Sequence, residues 1–255
     1  MRVDLKMKQY SGLSCVYDYL VSSVDFEGWI DYAELLLKHF GLNAGSVVDI
    51  ACGTGKTTIP FAKRGYKAYG VDISEEMLGL ARNQAALENV DINFSKQDMR
   101  QFSLVEKVDL ATCFHDGLNY LTDMQDMIKT FKTVYKNLNK NGSFIFDLNS
   151  VLWLSNADES VNFVDENDIT LIWQTSYHQH SNIWSINLTG FFKEGSHYKK
   201  FSETHQEKAY SQEEIKSCLS EAGFTLLGSF DAFKLAPAHE QSIRIFYVAQ
   251  KYNSN

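Results

Sequence analysis

The chain has 255 residues, 44% hydrophobic and 22% charged, which suits one large α/β domain with room for an insertion. Its formal charge is −8, and its lysine-containing segments, such as 193–200, are interrupted by Glu194; clustered cations for a nucleic-acid backbone are not expected. No apolar stretch approaches the roughly 20 residues of a membrane span, so no membrane partner is expected.

In chain order, Met1-Arg2-Val3-Asp4-Leu5-Lys6 offers no apolar signal core. Residues 11–40 read as helical, with Phe26, Trp29, Ile30, Ala33, Leu36, Leu37 and Phe40 at helical spacing and Gly41 closing the helix. Val47 to Ile50 is a short strand. Gly55 to Arg64 is a helix with Pro60 near its first turn, ended by Gly65. Lys67 to Val71 is a second strand, and Ser74 caps a helix to about Leu87. Asp91 to Ser95 and Val108 to Phe114 are strands three and four. Met124, Met127, Ile128, Phe131, Val134, Tyr135 and Leu138 mark one face of a helix, and Asn141-Gly142 turns into a fifth strand, Ser143 to Leu148. Strands alternating with helices indicate a parallel sheet covered on both faces.

The rhythm changes after Asn149. Ile169 to His178, Asn182 to Lys193 and Ser196 to Ala209 read as three antiparallel strands of an insertion. Ser211-Gln212-Glu213-Glu214 is a capping box opening a helix that Gly223 ends. Phe224 to Phe230 and Ile243 to Gln250 read as an antiparallel hairpin at the sheet edge. Cys15, Cys52, Cys113 and Cys218 lack CxxC spacing and read as reduced thiols of a cytoplasmic protein. His178, His180, His197 and His205 lack metal-ligand spacing, and no metal is expected.

The most informative stretch is Val47-Val48-Asp49-Ile50-Ala51-Cys52-Gly53-Thr54-Gly55: a buried strand, then a tight glycine turn, with Asp72 at the tip of the next strand. That is the layout of a nucleotide-type cofactor site. A phosphate loop ending in Gly55-Lys56-Thr57 needs glycine at position 50, which is Ile50. A dinucleotide fingerprint needs glycine where Thr58 stands, and Asp49 would lie beside a pyrophosphate.

The third reading is S-adenosylmethionine. The chain resembles the class I methyltransferases in D-x-x-C-G-T-G at Asp49 to Gly55 and V-D-I-S-x-x-M-L at Val71 to Leu78. Gln97-Asp98-Met99 follow strand three, and Phe114-His115-Asp116-Gly117-Leu118-Asn119-Tyr120-Leu121 follow strand four. The resemblance implies a Rossmann-like, seven-stranded, mostly parallel sheet with helices on both faces, plus an antiparallel β insertion. Residues 1–150 would form the cofactor-binding core with an N-terminal helical cover, 151–210 the insertion, and 211–255 the completion of the core. It further implies that Gly53, Gly55 and Ala51 bring the backbone close to the cofactor. Asp49 organises the turn or holds the cofactor's ammonium, and Asp72 accepts from the ribose hydroxyls. Ile73 and Met77 sandwich the adenine, Asp98 accepts from its amino group and the Met99 backbone addresses the ring, with Gln97 and Phe114 also among the cofactor-binding residues. Tyr10, Tyr17 and Trp29 cover the cofactor from the N-terminal side.

Methyl transfer from a sulfonium is an in-line displacement that depends on positioning. A neutral amine needs no base, whereas a hydroxyl or an ammonium does. His115 is the candidate base or acceptor orienter, unless its role is structural, and Tyr17 is the second catalytic candidate. The insertion is similar in position to that of glycine and aminosugar N-methyltransferases, where it closes the acceptor pocket and takes part in dimerisation. The expectation is therefore a small-molecule methyltransferase, nitrogen favoured over oxygen, with a homodimer as one use of the insertion. A tRNA- or protein-directed enzyme and a non-catalytic S-adenosylmethionine-binding protein stand as alternatives. Phe114-His115-Asp116-Gly117 lacks the N-P-P-Y signature of enzymes that methylate DNA bases or protein glutamine.

Overall fold

The structure, a computed structural model, describes residues 13–156, 159–166 and 168–252. Helices α1 (Ser14–Leu20) and α2 (Phe26–His39) stand where one helix was expected. The break falls at Ser22-Ser23-Val24-Asp25, where short polar side chains compete for the backbone and Asp25 caps α2 by accepting from the Gly28 N–H. Trp29, Ile30, Tyr32, Ala33, Leu36 and Leu37 form the buried face of α2.

Next come β1 (Ser46–Ile50), α3 (Thr58–Lys63), β2 (Lys67–Asp72), α4 (Glu75–Leu87), β3 (Asn93–Lys96), β4 (Val108–Cys113), α5 (Met124–Asn137) and β5 (Leu138–Asn149). Helix α3 starts later than expected, because left-handed Gly55 (φ 80°) still belongs to the turn; Pro60 lies in its first turn. Strand β5 starts earlier than expected. Leu138 pairs with Val108, and left-handed Asn141 (φ 60°) bulges the strand before Ser143 pairs with Leu110.

The chain then leaves the sheet through α6 (Val151–Ser155) into β6 (Val161–Glu166), β7 (Ile169–His178), β8 (Ile183–Glu194) and β9 (His197–Lys208). These four strands form a separate antiparallel sheet in chain order. The sequence reading missed β6, whose apolar side chains signal no core: Val161 and Phe163 are 64% and 71% exposed. The chain returns through α7 (Gln212–Glu221) to β10 (Thr225–Asp231) and β11 (Arg244–Gln250).

The main sheet has seven strands in the order β10-β11-β5-β4-β1-β2-β3. Strands β5, β4, β1, β2 and β3 are parallel, while β11 runs antiparallel to β5 and to β10. Alternating strand residues feed two cores. Val48, Ile50, Val71, Phe144 and Phe146 pack under α5 and α7, whereas Val47, Leu110, Ile145 and Phe246 pack under α2. The chain reverses direction across the sheet between β1 and β4, the switch point at which such folds open a ligand crevice. Among the described residues no helix is long and apolar enough to cross a membrane.

Helix α1 belongs to the insertion as much as to the core. Leu13 and Val16 pack on Leu171, Leu188 and Phe201, and the Leu13 N–H donates to Glu203 Oε1 at 3.0 Å. The Tyr19 hydroxyl donates to Glu166. On the core side, Asn119 Nδ2 donates to the carbonyls of Asn149 (3.2 Å) and Lys208 (2.9 Å), fixing the insertion's exit beside the loop after β4.

Gly70 shows how tightly β2 is packed beneath the glycine turn. A Cβ there would lie 2.4 Å from the Phe94 ring and 3.0 Å from Cys52 Sγ. Gly70→Ala is expected to destabilise the chain by about 1–3 kcal/mol through overpacking, read as a lower urea midpoint at unchanged m-value. An unchanged midpoint would contradict this packing.

Candidate active site

Above the switch point lies a cavity of about 460 Å³. Its floor is the turn after β1. Ala51 (φ 54°) and Gly53 (φ 53°) are left-handed, and a Cβ on Gly53 would meet nothing within 4 Å, so backbone there faces open space. Gly55 has a different task. It is left-handed too, but its Cβ position is filled by Ala81, Phe94 and Ile59 at 3.3–3.4 Å, so it serves helix packing and does not line the cavity.

Beneath the turn, Asp49 is 1% exposed. Its Oδ2 accepts from the Thr57 and Thr58 hydroxyls at 2.6 and 2.7 Å, and its Oδ1 from the Thr112 hydroxyl at 2.8 Å. Burial raises its pKa despite those three donors. Asp49 is therefore occupied with the turn, α3 and β4, and it does not line the cavity.

Asp72 does line it. Its Oδ2 accepts from the Gly53 N–H and its Oδ1 from the Ser74 N–H, both at 2.8 Å. The carboxylate keeps acceptor capacity beyond these bonds. Burial raises this carboxyl against the N–H donors of Ser74, Gly53 and Ile73. Next to it, Ser74 caps α4 by accepting from Met77 N–H, which brings Ile73 and Met77 to the same wall. Gln97, Asp98 and Met99 form the far end. There Arg100 binds both Asp98 oxygens and Asp126, and the Arg100 hydrogen bonds lower the Asp98 pKa. Arg100 and Asp126 carry no motif and were missed in the sequence.

The opposite end is built by α1 and the loop after β4. Leu13, Tyr17, Phe26, Phe114, His115, Asp116 and Tyr120 line it. Burial, then Asp116, Asp18 and Asp72, push the Tyr17 phenol far up, so it stays protonated with a hydroxyl proton available to donate. Asp18 latches α1 to the turn, accepting from the Thr54 hydroxyl at 2.8 Å and facing Lys56 Nζ at 3.3 Å. Trp29 is 5% exposed and packs behind the wall on the inward face of α2, its ring 5.6 Å from His115 and 5.8 Å from Phe114. Tyr10 lies outside the described residues. Desolvation raises the buried thiols of Cys52 and Cys113, which holds them in the protonated, less reactive form.

Behind this end is a charged cluster that the sequence reading did not single out. Arg244 donates to Asp116 Oδ1 at 2.9 Å and forms a short contact to Asp147 Oδ2. Nearby, Glu207 of β9 accepts from Asn149 Nδ2 at 3.1 Å. The available signal was an ionic residue inside otherwise apolar strands, Arg244 in Ile243-Arg244-Ile245-Phe246 and Asp147 in Phe146-Asp147-Leu148.

The cavity fits S-adenosylmethionine on its own chemistry. A left-handed backbone cradle, a carboxylate with spare lone pairs for a diol, an apolar slot and a polar far end match its amino-acid tail, ribose and adenine. A glycine turn at the switch point with an acid at the next strand tip is a layout that a class I methyltransferase site shares. Comparison with known proteins agrees. Residues 47–142 match a family model described as a methyltransferase domain. The chain is 34% identical to YqeM of Bacillus subtilis (strain 168), named as a methyltransferase by assignment, over 95% of this chain and 97% of that protein. It superposes at TM-score 0.85 on an S-adenosylmethionine-dependent methyltransferase from Clostridium acetobutylicum ATCC 824, 29% identical, over 96% and 100% of the two chains. The sugar N-methyltransferase KedS8 from Streptoalloteichus sp ATCC 53650 shares the fold at TM-score 0.78, with 18% identity over 99% of both chains. The chain belongs to the class I S-adenosylmethionine-dependent methyltransferases, and S-adenosylmethionine is its methyl donor.

Asp72→Ala is expected to weaken calorimetric binding of S-adenosylmethionine and its demethylated product by about 1–3 kcal/mol, through lost charge-assisted hydrogen bonds. Unchanged affinity would remove Asp72 from the site.

Glu207 gives a pH signature. Burial first, and Asp116 second, push its pKa up from 4.5 to about 8. Between those values the folded chain keeps a proton that the unfolded chain has lost, so this group's contribution to stability falls as pH rises. Glu207→Gln keeps the acceptor for Asn149 and cannot ionise. Its Tm is expected to gain on the wild type from the acid end of that window to the basic end. A constant difference would mean that Glu207 titrates normally.

Proposed function

We propose that the chain methylates a small molecule at nitrogen, with the acceptor held between Tyr17, His115, Asp116 and Tyr120. The observation that carries this reading is the closure of the acceptor end by α1. That helix is tied to the glycine turn through Asp18 and to the insertion through Leu13 and Tyr19. The cavity behind it, about 460 Å³, is in the range of small-ligand sites. A cavity partly covered by α1 suits a small acceptor better than a bulky macromolecular one. Shared fold with a protein titled as a sugar N-methyltransferase supports nitrogen as the target.

In this reading the bound cofactor supplies an electrophilic methyl group on a sulfonium, and the protein supplies position. Asp72 holds the ribose end, and Ile73 and Met77 hold the adenine. His115 receives the proton of an acceptor ammonium or orients the free amine. Protonated Tyr17 donates a hydrogen bond and, with α1, keeps water out. The insertion caps the acceptor and offers a surface for a homodimer. A cytoplasmic location is supported by the buried thiols Cys52, Cys113 and Cys218.

A screen of amines, aminosugars and phenols for S-adenosylhomocysteine formation is expected to yield an amine substrate. With it, His115→Asn should lower turnover by on the order of 10²-fold while leaving cofactor affinity nearly unchanged. Turnover of phenols alone would contradict the nitrogen reading. Full turnover of the variant at every pH would make His115 structural.

A further inference from the structure

The loop after β4 contains an arrangement that folding alone does not call for. His115 (φ 59°) and Asp116 (φ 58°) are consecutive, carry side chains, and are both left-handed. L-residues avoid this region because Cβ crowds the backbone, and two in succession persist only when their surroundings impose it. The single 3₁₀ turn Gly117–Tyr120 that follows gives Asp116 no side-chain cap bond.

Besides the local Asn119 N–H bond to the Asp116 carbonyl, contacts on this turn come from a part of the sequence far from it. Arg244, the first residue of β11, reaches Asp116 Oδ1 at 2.9 Å with Nη2 and Asp147 Oδ2 with Nη1. Asp147 Oδ2 also accepts from the Asp116 N–H at 3.2 Å. Residue 116 is thus gripped by its backbone and its side chain at once. The same guanidinium lies 5.4 Å from the Trp29 ring, and Trp29 and Phe26 flank the His115 ring at 5.6 and 5.7 Å. The clamp and the imidazole therefore share one aromatic support.

A purely architectural role for this ion cluster is poorly motivated. Strands β5 and β11 are already joined in continuous antiparallel register from Asn149↔Arg244 to Ser143↔Gln250. The Asp147 side chain is fully buried, and a buried ion pair is a weak source of stability once its desolvation is counted. Burial would lower the Arg244 pKa, but Asp147 and Asp116 hold its charge. The cluster does supply direction: a planar fork fixes two carboxylates relative to each other.

We propose that Arg244 is a positioning residue which, through Asp116 and Asp147, holds the left-handed turn that aims His115 and the Asp116 carboxylate into the acceptor end of the cavity. This rests on the reading of His115 as an acceptor-side group, but its test does not require an acceptor. In histidine-labelled protein the His115 ring signal, assigned by its absence in His115→Gln, reports ring placement. Cross-relaxation from His115 to the Trp29 and Phe26 rings is expected in the wild type. Arg244→Met is expected to abolish it and move the signal toward its unfolded-chain position. Calorimetric affinity for S-adenosylhomocysteine should stay within about threefold, because the Asp72 end is untouched. Unchanged cross-relaxation and signal position in folded Arg244→Met would overturn the proposal, as would an equal loss of cofactor binding. If Arg244→Met does not fold, Asp147→Asn, which keeps shape and weakens the grip, is read in the same way. An intact His115 environment in that variant also overturns it. Failure of His115 as a base would instead appear as full turnover of His115→Asn, leaving these ring contacts as they are.

Discussion

Asp49 is the constraint on which the site is built. A carboxylate buried at a strand end is costly unless its charge is hydrogen-bonded. The chain meets that demand with hydroxyls from Thr57, Thr58 and Thr112. Those three bonds draw the start of α3 and the tip of β4 onto the end of β1. The intervening residues then have too little room for an extended path and must turn back through left-handed Ala51, Gly53 and Gly55. Asp72 completes the turn from the next strand by accepting from the Gly53 N–H. The floor of the cavity thus follows from how one acid is satisfied.

The two ends of the cavity have different structural origins. The donor end is made by consecutive strand tips and short loops, and its geometry follows from β1, β2 and β3. The acceptor end is assembled from parts far apart in sequence: α1, the loop after β4, the exit of the insertion, and the start of β11. Such a division lets a shared donor site serve many acceptors, because the variable parts lie outside the parallel core. The four-strand sheet acts on the site through α1, whose inner face it packs, and α1 in turn reaches the glycine turn through Asp18.

The cavity wall formed by 51–53, 72–77 and 97–99 was legible in the sequence because its signals are local. An apolar run, a glycine spacing and an acid at the next strand tip all fall within 47–78, and periodicity fixed the strands around them. The errors have local causes too. The expected long helix over 11–40 overlooked Asp25 as a cap. Gly55 carried a motif position but packs against Ala81 and Phe94. Trp29, expected over the cofactor, lies on the inward face of α2 beside the His115 loop. Strand β6 was too exposed to register as a strand. What the sequence could not display is tertiary charge pairing. Arg244 and Asp116 are separated by 128 positions, and Arg100 meets Asp126 across the start of α5. Only an ionic residue within an apolar strand hints at such a pair.

The central claim is that the methyl donor seats on the turn at 51–53 with its ribose on Asp72 and its sulfur facing Tyr17 and His115. A crystal structure with S-adenosylhomocysteine bound tests this most directly. The expected result is both ribose hydroxyls within hydrogen-bond distance of the Asp72 carboxylate, adenine between Ile73 and Met77, and the thioether toward the His115 loop. A ligand seated elsewhere, or one whose ribose leaves Asp72 in contact with Gly53 and Ser74 alone, would contradict it.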